Sequence, residues 1–240
     1  PDNPQLWNAS VDVSSSADTM VCDTFDTYFG LRSVSIGLDV HGIPRPLLNG
    51  EFIVQVGTLD QGFWPEGIYT APSDEAMIAD IAWHKAMGFN SQRHHMKIEP
   101  RRWYYHADRL GLMVWQDMPT AQGYNKNMSA WAEYQRIFKK ELRALLRGRG
   151  THPCVIQWDI FNEGGGTQYN RTVDRAPWFA EVEQLVRSAA DGRLLDMCSG
   201  CDAMGFGDMD DLHHYADHMD HKYGYDIQKL DAQAMHDLCP

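Results

Sequence analysis

Short apolar runs alternate along the chain with longer segments in which apolar residues recur at helical spacing. The runs that predict strands are 52–56, 89–93, 112–117, a stretch beginning at 155, 194–198 and 211–215. Four helices are predicted, beginning near Ser73, Pro100, Trp131 and Pro177. Strands that alternate with helices favour a parallel sheet covered by helices, because such crossovers are right-handed.

This parallel sheet is predicted to close into a barrel. Polar side chains stand at the C-terminal ends of four predicted strands: Arg93, Asp117, Glu163 and His214. In a barrel these strand ends share one face. A doubly wound open sheet would favour a glycine fingerprint after the first strand, and the sequence has none there. The predicted fold class is therefore α/β, a (β/α)8 TIM barrel that is incomplete, with about six strands present.

The first 36 residues have a different character. A polar turn region at 12–18 separates short apolar pieces, and residues 29–36 alternate like a strand. This pattern is typical of the end of an all-β module, too short to bury a core by itself. We therefore expect the end of an all-β module at 1–40 and a partial TIM-barrel domain at 41–240.

The most informative stretch is the apolar run that ends in Asn162-Glu163 and continues into three glycines at 164–166. Parallel barrels present catalytic acids at the C-terminal ends of buried strands. Glycines beside such an acid allow backbone and ligand to approach closely. On these residues alone, a strand that simply ends in a polar turn is an equal alternative.

Composition narrows the class of partner. The formal net charge is −12, from 33 Asp and Glu against 21 Lys and Arg, so we expect no nucleic-acid partner. No apolar run approaches the roughly 20 residues of a membrane helix, so we expect no membrane partner. The chain starts at Pro1 without a leader. We therefore expect unnatural ends and leave the compartment open, with periplasmic or extracellular locations among the options for a full-length protein.

Several short motifs that occur in a fixed order along the chain are specific to a protein family. They are Phe29-Gly-Leu-Arg, Leu48-Asn-Gly-Glu, Leu59-Asp-Gln-Gly-Phe-Trp-Pro-Glu-Gly, Glu99-Pro-Arg-Arg-Trp-Tyr-Tyr, Val114-Trp-Gln-Asp-Met-Pro and Phe161-Asn-Glu-Gly. Together they resemble glycoside hydrolase family 2, which contains β-galactosidases, β-mannosidases and β-glucuronidases. The resemblance covers nearly the whole chain, and it implies that residues 1–40 end an immunoglobulin-like sandwich.

The resemblance also implies a mechanism and roles for residues. It implies a retaining β-glycosidase that uses two glutamates and no cofactor, with a carbohydrate as substrate. Glu163 corresponds to the acid/base, and Asn162 to the residue that binds the sugar 2-hydroxyl. His214 and Tyr215 correspond to a pair after strand six, whose tyrosine supports the nucleophile.

The main departure from the family pattern is the missing nucleophile. It is expected after strand seven, roughly 5 Å from the acid/base in a retaining enzyme, but no glutamate follows Tyr215. Either this sequence is a fragment, which we expect to be inactive alone, or the protein has lost its nucleophile. The second reading makes it a non-catalytic carbohydrate-binding barrel. In addition, Gly165 stands where many relatives have tryptophan.

Four further residues are predicted substrate contacts, each with a structural alternative. Arg93 and Asp117 could bind sugar hydroxyls or form an ion pair with each other. Asp60 lies in the first strand-to-helix loop, on the expected active face. Trp158 could stack on a pyranose ring or belong to the core. The sugar itself and the oligomeric state stay open.

Two clusters suggest other chemistry. Cys198-Ser-Gly-Cys201 has the spacing of a redox or zinc motif, although the five scattered cysteines do not suggest a disulfide framework. His213, His214, His218 and His221 form a candidate metal cluster. A metal-dependent hydrolase that uses His213, His214 and Asp117 is therefore a third hypothesis, while no metal is expected under the family 2 interpretation.

Overall fold

The computed structural model describes residues 1–15, 21–120, 131–163, 175–189 and 192–213. Its strands are β1 Trp7–Ser14, β2 Val21–Phe29, β3 Val34–Leu38, β4 Pro44–Leu48, β5 Glu51–Phe52, β6 Gly57–Asp60, β7 Ser91–His94, β8 Met113–Asp117, β9 Val155–Asn162 and β10 Leu194–Ser199. Its helices are α1 Asp74–Ala86, α2 Arg101–Leu110, α3 Trp131–Arg149 and α4 Ala176–Arg187.

Five strands form one parallel sheet in the order β10-β9-β8-β7-β6. Each pair of neighbours is parallel, and the helices lie between successive strands in the chain. This order, in which each strand lies beside its predecessor, is that of a partial α/β barrel. It places the C-terminal ends of β7, β8, β9 and β10 along one edge.

The first barrel strand differs from the prediction of a strand at 52–56. It begins at Gly57, whereas β5 contains only Glu51–Phe52 and belongs to an antiparallel sheet. The Asn90 side chain accepts a hydrogen bond from the backbone N–H of Val56 (2.9 Å) and donates one to the carbonyl of Val54 (2.8 Å). These bonds satisfy a backbone N–H and a carbonyl group that would otherwise pair with a neighbouring strand.

The predicted sixth strand at 211–215 is not formed in the part of it that is described. Residues 211–213 have no strand assignment, while His214 and Tyr215 lie outside the described residues. The neighbour of β10 is instead a single parallel bridge between Asp196 and Met209. The sheet therefore has five strands, rather than about six, within the described residues.

Residues suited to capping stand at the boundaries of α1 and α2. The Ser73 side chain accepts a hydrogen bond from the N–H of Ala76 (3.2 Å) and caps α1. Pro100 immediately precedes α2, and Gly111 ends it in a left-handed conformation (φ 76°). These residues mark the start of α1 and both ends of α2.

The core lies between the sheet and its helices. The Phe161 ring of β9 stacks on Phe138 of α3 (ring centroids 5.3 Å apart) and on Phe179 of α4 (5.0 Å). Trp178 packs edge-on against Phe138 at 5.5 Å. All four side chains are buried. This aromatic column anchors β9, the strand that carries Asn162, against both of its helices.

Two antiparallel sheets precede the barrel strands. The hairpin β1-β2 contacts the barrel through Tyr28, whose hydroxyl donates to Asp108 Oδ2 (2.7 Å) on α2. The sheet β3-β4-β5 pairs Val34–Leu38 with Pro44–Leu48. It therefore extends across the boundary predicted between residues 40 and 41.

Candidate active site

The centre of the site is a buried ion pair between the ends of β7 and β8. Arg93 binds Asp117 through two hydrogen bonds, Nε to Oδ1 (2.8 Å) and Nη2 to Oδ2 (2.9 Å). The Asp117 carboxylate also accepts the N–H of Met96 (3.0 Å) and lies 3.2 Å from His95 Nδ1. Although burial opposes ionisation, these donors, led by His95 and Arg93, lower the pKa of Asp117. The pair thus stays ionised inside the barrel.

Arg93 also reaches the end of β9. Its Nη2 donates to the side-chain oxygen of Asn162 (3.0 Å), which is itself buried. Because Phe161 points toward the helices, Asn162 projects to the opposite face and meets Arg93. Of the four strand-end residues predicted to converge, Arg93 and Asp117 are in direct contact, and Asn162, the neighbour of Glu163, joins them.

Glu163 follows Asn162 in a strained turn. Its φ is +48°, a left-handed conformation that costs free energy for a residue other than glycine. The Glu163 N–H donates to the carbonyl of Ser199 (2.9 Å), and Oε1 lies 3.0 Å from Nδ1 of His213. The Glu163 side chain is 31% exposed.

His213 is held by Ser199, the last residue of β10, and by Asp211, which lies beyond it. Its Nε2 lies 2.9 Å from Ser199 Oγ and 3.6 Å from Asp211 Oδ2. Asp211 accepts hydrogen bonds from the Ser199 hydroxyl (2.7 Å) and from the N–H of Gly200 (2.6 Å). Although burial raises the pKa of Asp211, these bonds and the one with His213 lower it to about 2. The same Asp211 contact raises the pKa of His213.

Two more carboxyl groups lie beneath this layer on β9 and β10. Asp159 and Asp196 are partners in the strand register, each 1% exposed. Burial, reinforced by the charge of Asp117, raises the pKa of Asp159 to about 8. Burial and the charge of Asp159 raise the pKa of Asp196 to about 9. At neutral pH the site therefore combines two ionised carboxylates, Asp117 and Asp211, with two protonated carboxyls, Asp159 and Asp196.

A family model described as the TIM barrel domain of glycosyl hydrolases family 2 matches residues 70–234. This match spans more than half of the chain. The chain belongs to glycosyl hydrolase family 2.

Relatives in this family are longer proteins. A β-galactosidase of Lactococcus lactis is 26% identical over 168 residues, which are 68% of this chain and 17% of that protein. A β-galactosidase of Erwinia tasmaniensis is 27% identical over 170 residues, which are 68% of this chain and 16% of that protein. The chain thus spans about a sixth of the length of the relatives it matches.

Solved structures support the same fold. A β-glucuronidase of Parabacteroides merdae, with glycerol in its active site, matches 92% of this chain and 27% of its own, with a TM-score of 0.72 and 21% identity. A family 2 β-galacturonidase of Eisenbergiella tayi, bound to galacturonate, matches 78% of this chain and 33% of its own chain. The TM-score is 0.65 and the sequence identity is 18%. Because the sequence identities are 21% and 18%, these structural similarities establish the fold alone.

Two predicted substrate contacts lie elsewhere in this family 2 barrel. Asp60 ends β6 and pairs with Lys97 Nζ (3.1 Å), beside a cavity of about 120 Å³ lined by Trp64 and Glu99. Trp158 is 1% exposed and lies in the hydrophobic core beneath the guanidinium of Arg193, 5.4 Å from its ring. This burial favours the core alternative for Trp158 over stacking on a sugar.

Ser199 and Asp211 were not predicted as site residues, although Ser199 is a polar residue at a strand end, the signal that identified Arg93 and Asp117. The contacts of the predicted residues His214 and Tyr215 lie outside the described residues.

The structure describes the cysteine pair considered for redox or zinc chemistry, whereas His214, His218 and His221 of the candidate metal cluster lie outside the described residues. Cys198 and Cys201 form a disulfide, with Cα atoms 5.4 Å apart, around Ser199 and Gly200. Within the described ranges, no group of three or more His, Cys, Asp or Glu side chains is arranged to hold a metal ion. No helix among the described residues is long and apolar enough to span a membrane.

Proposed function

We propose that this chain carries the acid/base half of a retaining β-glycosidase active site, which removes terminal sugars from glycosides. The observation that supports this most directly is the position of Glu163. It follows β9 at the barrel edge, its carboxyl group is partly exposed, and it contacts His213. Its neighbour Asn162 is fixed by Arg93.

In the proposed first step, a nucleophilic carboxylate attacks the anomeric carbon while the bond to the glycosidic oxygen breaks. Glu163 gives its proton to that oxygen, so the leaving group departs as an alcohol. In the second step, water attacks the anomeric carbon and gives a proton to Glu163. The carboxylate nucleophile is then released, and the anomeric configuration is retained.

The nucleophile is the element that this sequence does not supply. No glutamate follows Glu183. We therefore propose that the 240 residues alone do not hydrolyse glycosides by this mechanism, and that activity requires a carboxylate from beyond them.

Substrate binding is assigned to the polar strand ends. Asn162 is proposed to bind the sugar 2-hydroxyl, because its amide is oriented by Arg93. Asp117, Asp60, His214 and Tyr215 are proposed to contact other hydroxyl groups. Since the relatives named above are β-galactosidases, a β-galactoside is the first substrate to test. The assignment of residues 1–40 to an immunoglobulin-like sandwich is kept as part of this proposal.

The test compares Glu163→Gln with the wild type in protein expressed from the complete coding sequence. Two β-galactosides are used, one with a dinitrophenyl and one with a methyl leaving group. A lost general acid costs about 10²–10⁴ in rate when the leaving group needs protonation. We therefore expect a large loss of kcat/KM on the methyl glycoside and a much smaller loss on the dinitrophenyl glycoside.

Glu133→Gln is the matched control, because Glu133 is an exposed residue of α3 that pairs with Arg136. It should hydrolyse both substrates as the wild type does. Equal rates for Glu163→Gln and the wild type on the methyl glycoside would exclude Glu163 as the acid.

A second function is favoured by the absence of glutamate after Glu183. It is a carbohydrate-binding barrel that keeps Arg93, Asp117 and Asn162 and lacks the nucleophile. Calorimetric titration of the complete protein with galactosides distinguishes the two functions. Saturable binding without hydrolysis of any aryl glycoside supports the second, whereas turnover excludes it.

A further inference from the structure

Two cysteines enclose the residues that hold the proposed acid site. Cys198 and Cys201 are joined by a disulfide, and only Ser199 and Gly200 lie between them. Cys198 belongs to β10 and is fully buried, whereas Cys201 lies beyond the strand and is partly buried. The disulfide therefore closes a short turn at the end of the strand.

The two enclosed residues bind the surrounding residues of the site. The carbonyl of Ser199 accepts the N–H of Glu163 (2.9 Å), and the Ser199 hydroxyl donates to Asp211 Oδ2 (2.7 Å). The same hydroxyl lies 2.9 Å from His213 Nε2. The Gly200 N–H donates to Asp211 Oδ1 (2.6 Å). Glu163, Asp211 and His213 are thus all attached to one turn.

The disulfide is the covalent constraint on this turn. Its backbone is also closed by a hydrogen bond from the Cys201 N–H to the Cys198 carbonyl (3.1 Å). Between the two cysteines, Gly200 has a φ of +68°, in a region that glycine enters and leaves easily. Once the disulfide is broken, Gly200 can change its backbone angles, and its bond to Asp211 changes with them.

The length of the loop separates a local role of the disulfide from a global one. In the chain-entropy account, a disulfide stabilises a protein by constraining the unfolded chain, and this effect is smallest for short loops. Because Cys198 and Cys201 enclose only two residues, their bond adds little to global stability in this way. Its main effect is therefore on the conformation of the turn.

We infer that the Cys198–Cys201 disulfide is a positioning cross-link, which fixes the Ser199-Gly200 turn and, through it, Glu163. The inference rests on the proposed function for its effect on catalysis. A dithiol breaks the cross-link when its thiolate attacks Sγ of Cys201, the less buried sulfur, and Cys198 leaves as a thiolate. The second thiol of the reagent then displaces Cys201. Two electrons and two protons pass to the protein, and the reagent becomes a cyclic disulfide.

The first measurement establishes the cross-link and its removal. The complete protein is denatured and alkylated with and without prior treatment by dithiothreitol, and the peptide that contains both cysteines is weighed by mass spectrometry. We expect Cys198 and Cys201 to be alkylated only after dithiothreitol. Alkylation of both cysteines in the untreated protein would overturn the inference.

The second measurement is hydrolysis of the methyl and dinitrophenyl galactosides before and after reduction. Because general acid catalysis contributes about 10²–10⁴-fold, a displaced acid should lower kcat/KM for the methyl galactoside at least about ten-fold. The loss on the dinitrophenyl galactoside should be smaller, and reoxidation by oxidised glutathione should restore both rates. Equal losses on the two substrates, or no loss on either, would contradict a role in positioning the acid.

Two variants locate the effect in the chain. Cys201→Ser removes the bond, so it should show the rates of the reduced protein, a nearly unchanged Tm and no further response to dithiothreitol. Cys22→Ser is the matched control, because Cys22 is an exposed cysteine of β2 outside the disulfide, and it should respond to reduction as the wild type does. A Cys201→Ser variant that still loses activity in dithiothreitol would place the effect elsewhere and end the inference.

Hydrogen exchange separates this inference from the proposed function. A loosened turn exposes the N–H groups of Glu163 and Gly200, so reduction should speed exchange in the peptides that contain them and leave α2 unchanged. If exchange speeds up while Glu163→Gln has no effect on hydrolysis, the proposed function fails and the constraint on the turn stands. If Glu163→Gln behaves as an acid variant but reduction changes neither exchange nor rates, only the positioning inference fails.

Discussion

The guanidinium of Arg93 is bound side-on by the carboxylate of Asp117, with Nε–Oδ1 and Nη2–Oδ2 distances of 2.8 and 2.9 Å. Both side chains are less than 10% exposed. Since the remaining Nη2 contact goes to Asn162, the ion pair links three successive strand ends. It is therefore both a structural element of the barrel and the support of the proposed sugar-binding amide.

Asp117→Asn tests this double role. Removing one partner of a buried pair costs up to about 3–5 kcal/mol, and here Asp159 still faces the guanidinium, with its Oδ2 3.3 Å from Arg93 Nε. We expect the free energy of unfolding, measured by urea denaturation, to fall, by up to that amount. The control is Glu133→Gln, which affects an exposed carboxylate that pairs with Arg136 and should change stability little. Equal stability of the two variants would show that the Arg93 pair contributes nothing.

Trp158→Ala tests whether Trp158 belongs to the core or stacks on a sugar ring, the two roles that the sequence leaves open. Loss of a buried tryptophan costs about 3–5 kcal/mol, because a cavity replaces the ring. Trp83→Ala is the control, since Trp83 is 69% exposed on α1. We expect a large fall in the midpoint of urea denaturation for Trp158→Ala only. A stable Trp158→Ala variant that has lost galactoside binding would instead support the stacking role.

Gly200→Ala separates backbone strain from displacement of His213. Gly200 and Gly205 both have positive φ angles, +68° and +78°, so alanine is strained at each. A Cβ at Gly200 meets the His213 ring, whereas nothing lies within 4 Å of one at Gly205. We expect similar backbone costs of about 1 kcal/mol in thermal denaturation, with a further loss of stability and of methyl galactoside hydrolysis only in Gly200→Ala. Identical hydrolysis by the two variants would indicate that the ring position is not critical.

The pH dependence of stability reports on Asp196. The pKa of Asp196 is about 9 in the folded protein, above its unfolded value of 3.8. Its contribution to the free energy of unfolding is therefore fully present below pH 3.8 and is lost as pH rises through about 9. Asparagine cannot titrate and avoids burying a charge. We expect Asp196→Asn to be more stable than the wild type by about 1–3 kcal/mol near pH 8, with the difference shrinking toward pH 4.

Thermal denaturation between pH 4 and 9 measures this difference. Asp210→Asn serves as the exposed control and should follow the wild-type curve. Parallel curves for the wild type and Asp196→Asn would contradict a protonated carboxyl at this position.

The convergence of Arg93 and Asp117 could be predicted from the sequence, because it depends only on the rule that parallel strand ends share an edge. The caps at Ser73 and Gly111 are similarly local. These features follow from neighbours in the chain or from the period of the pattern.

Other features depend on contacts between distant residues. The start of β6 at Gly57 is decided by the side chain of Asn90, which is 34 residues from the Val56 N–H that it binds. The pattern shows that Trp158 lies on a strand, but not which of its faces points toward the helices. The support of His213 joins Ser199 and Asp211 across a loop, and no spacing rule identifies it.

Glu163 is attached to β10 at two points: its N–H bonds the carbonyl of Ser199, and its carboxyl group meets His213, which Ser199 supports. The residue that follows β9 therefore takes its geometry from the adjacent strand and its loop. For protein engineering this means that the transplantable unit is a strand pair. A graft of 155–163 alone into another barrel would carry the glutamate without its orientation, whereas a graft that includes 194–213 would carry both.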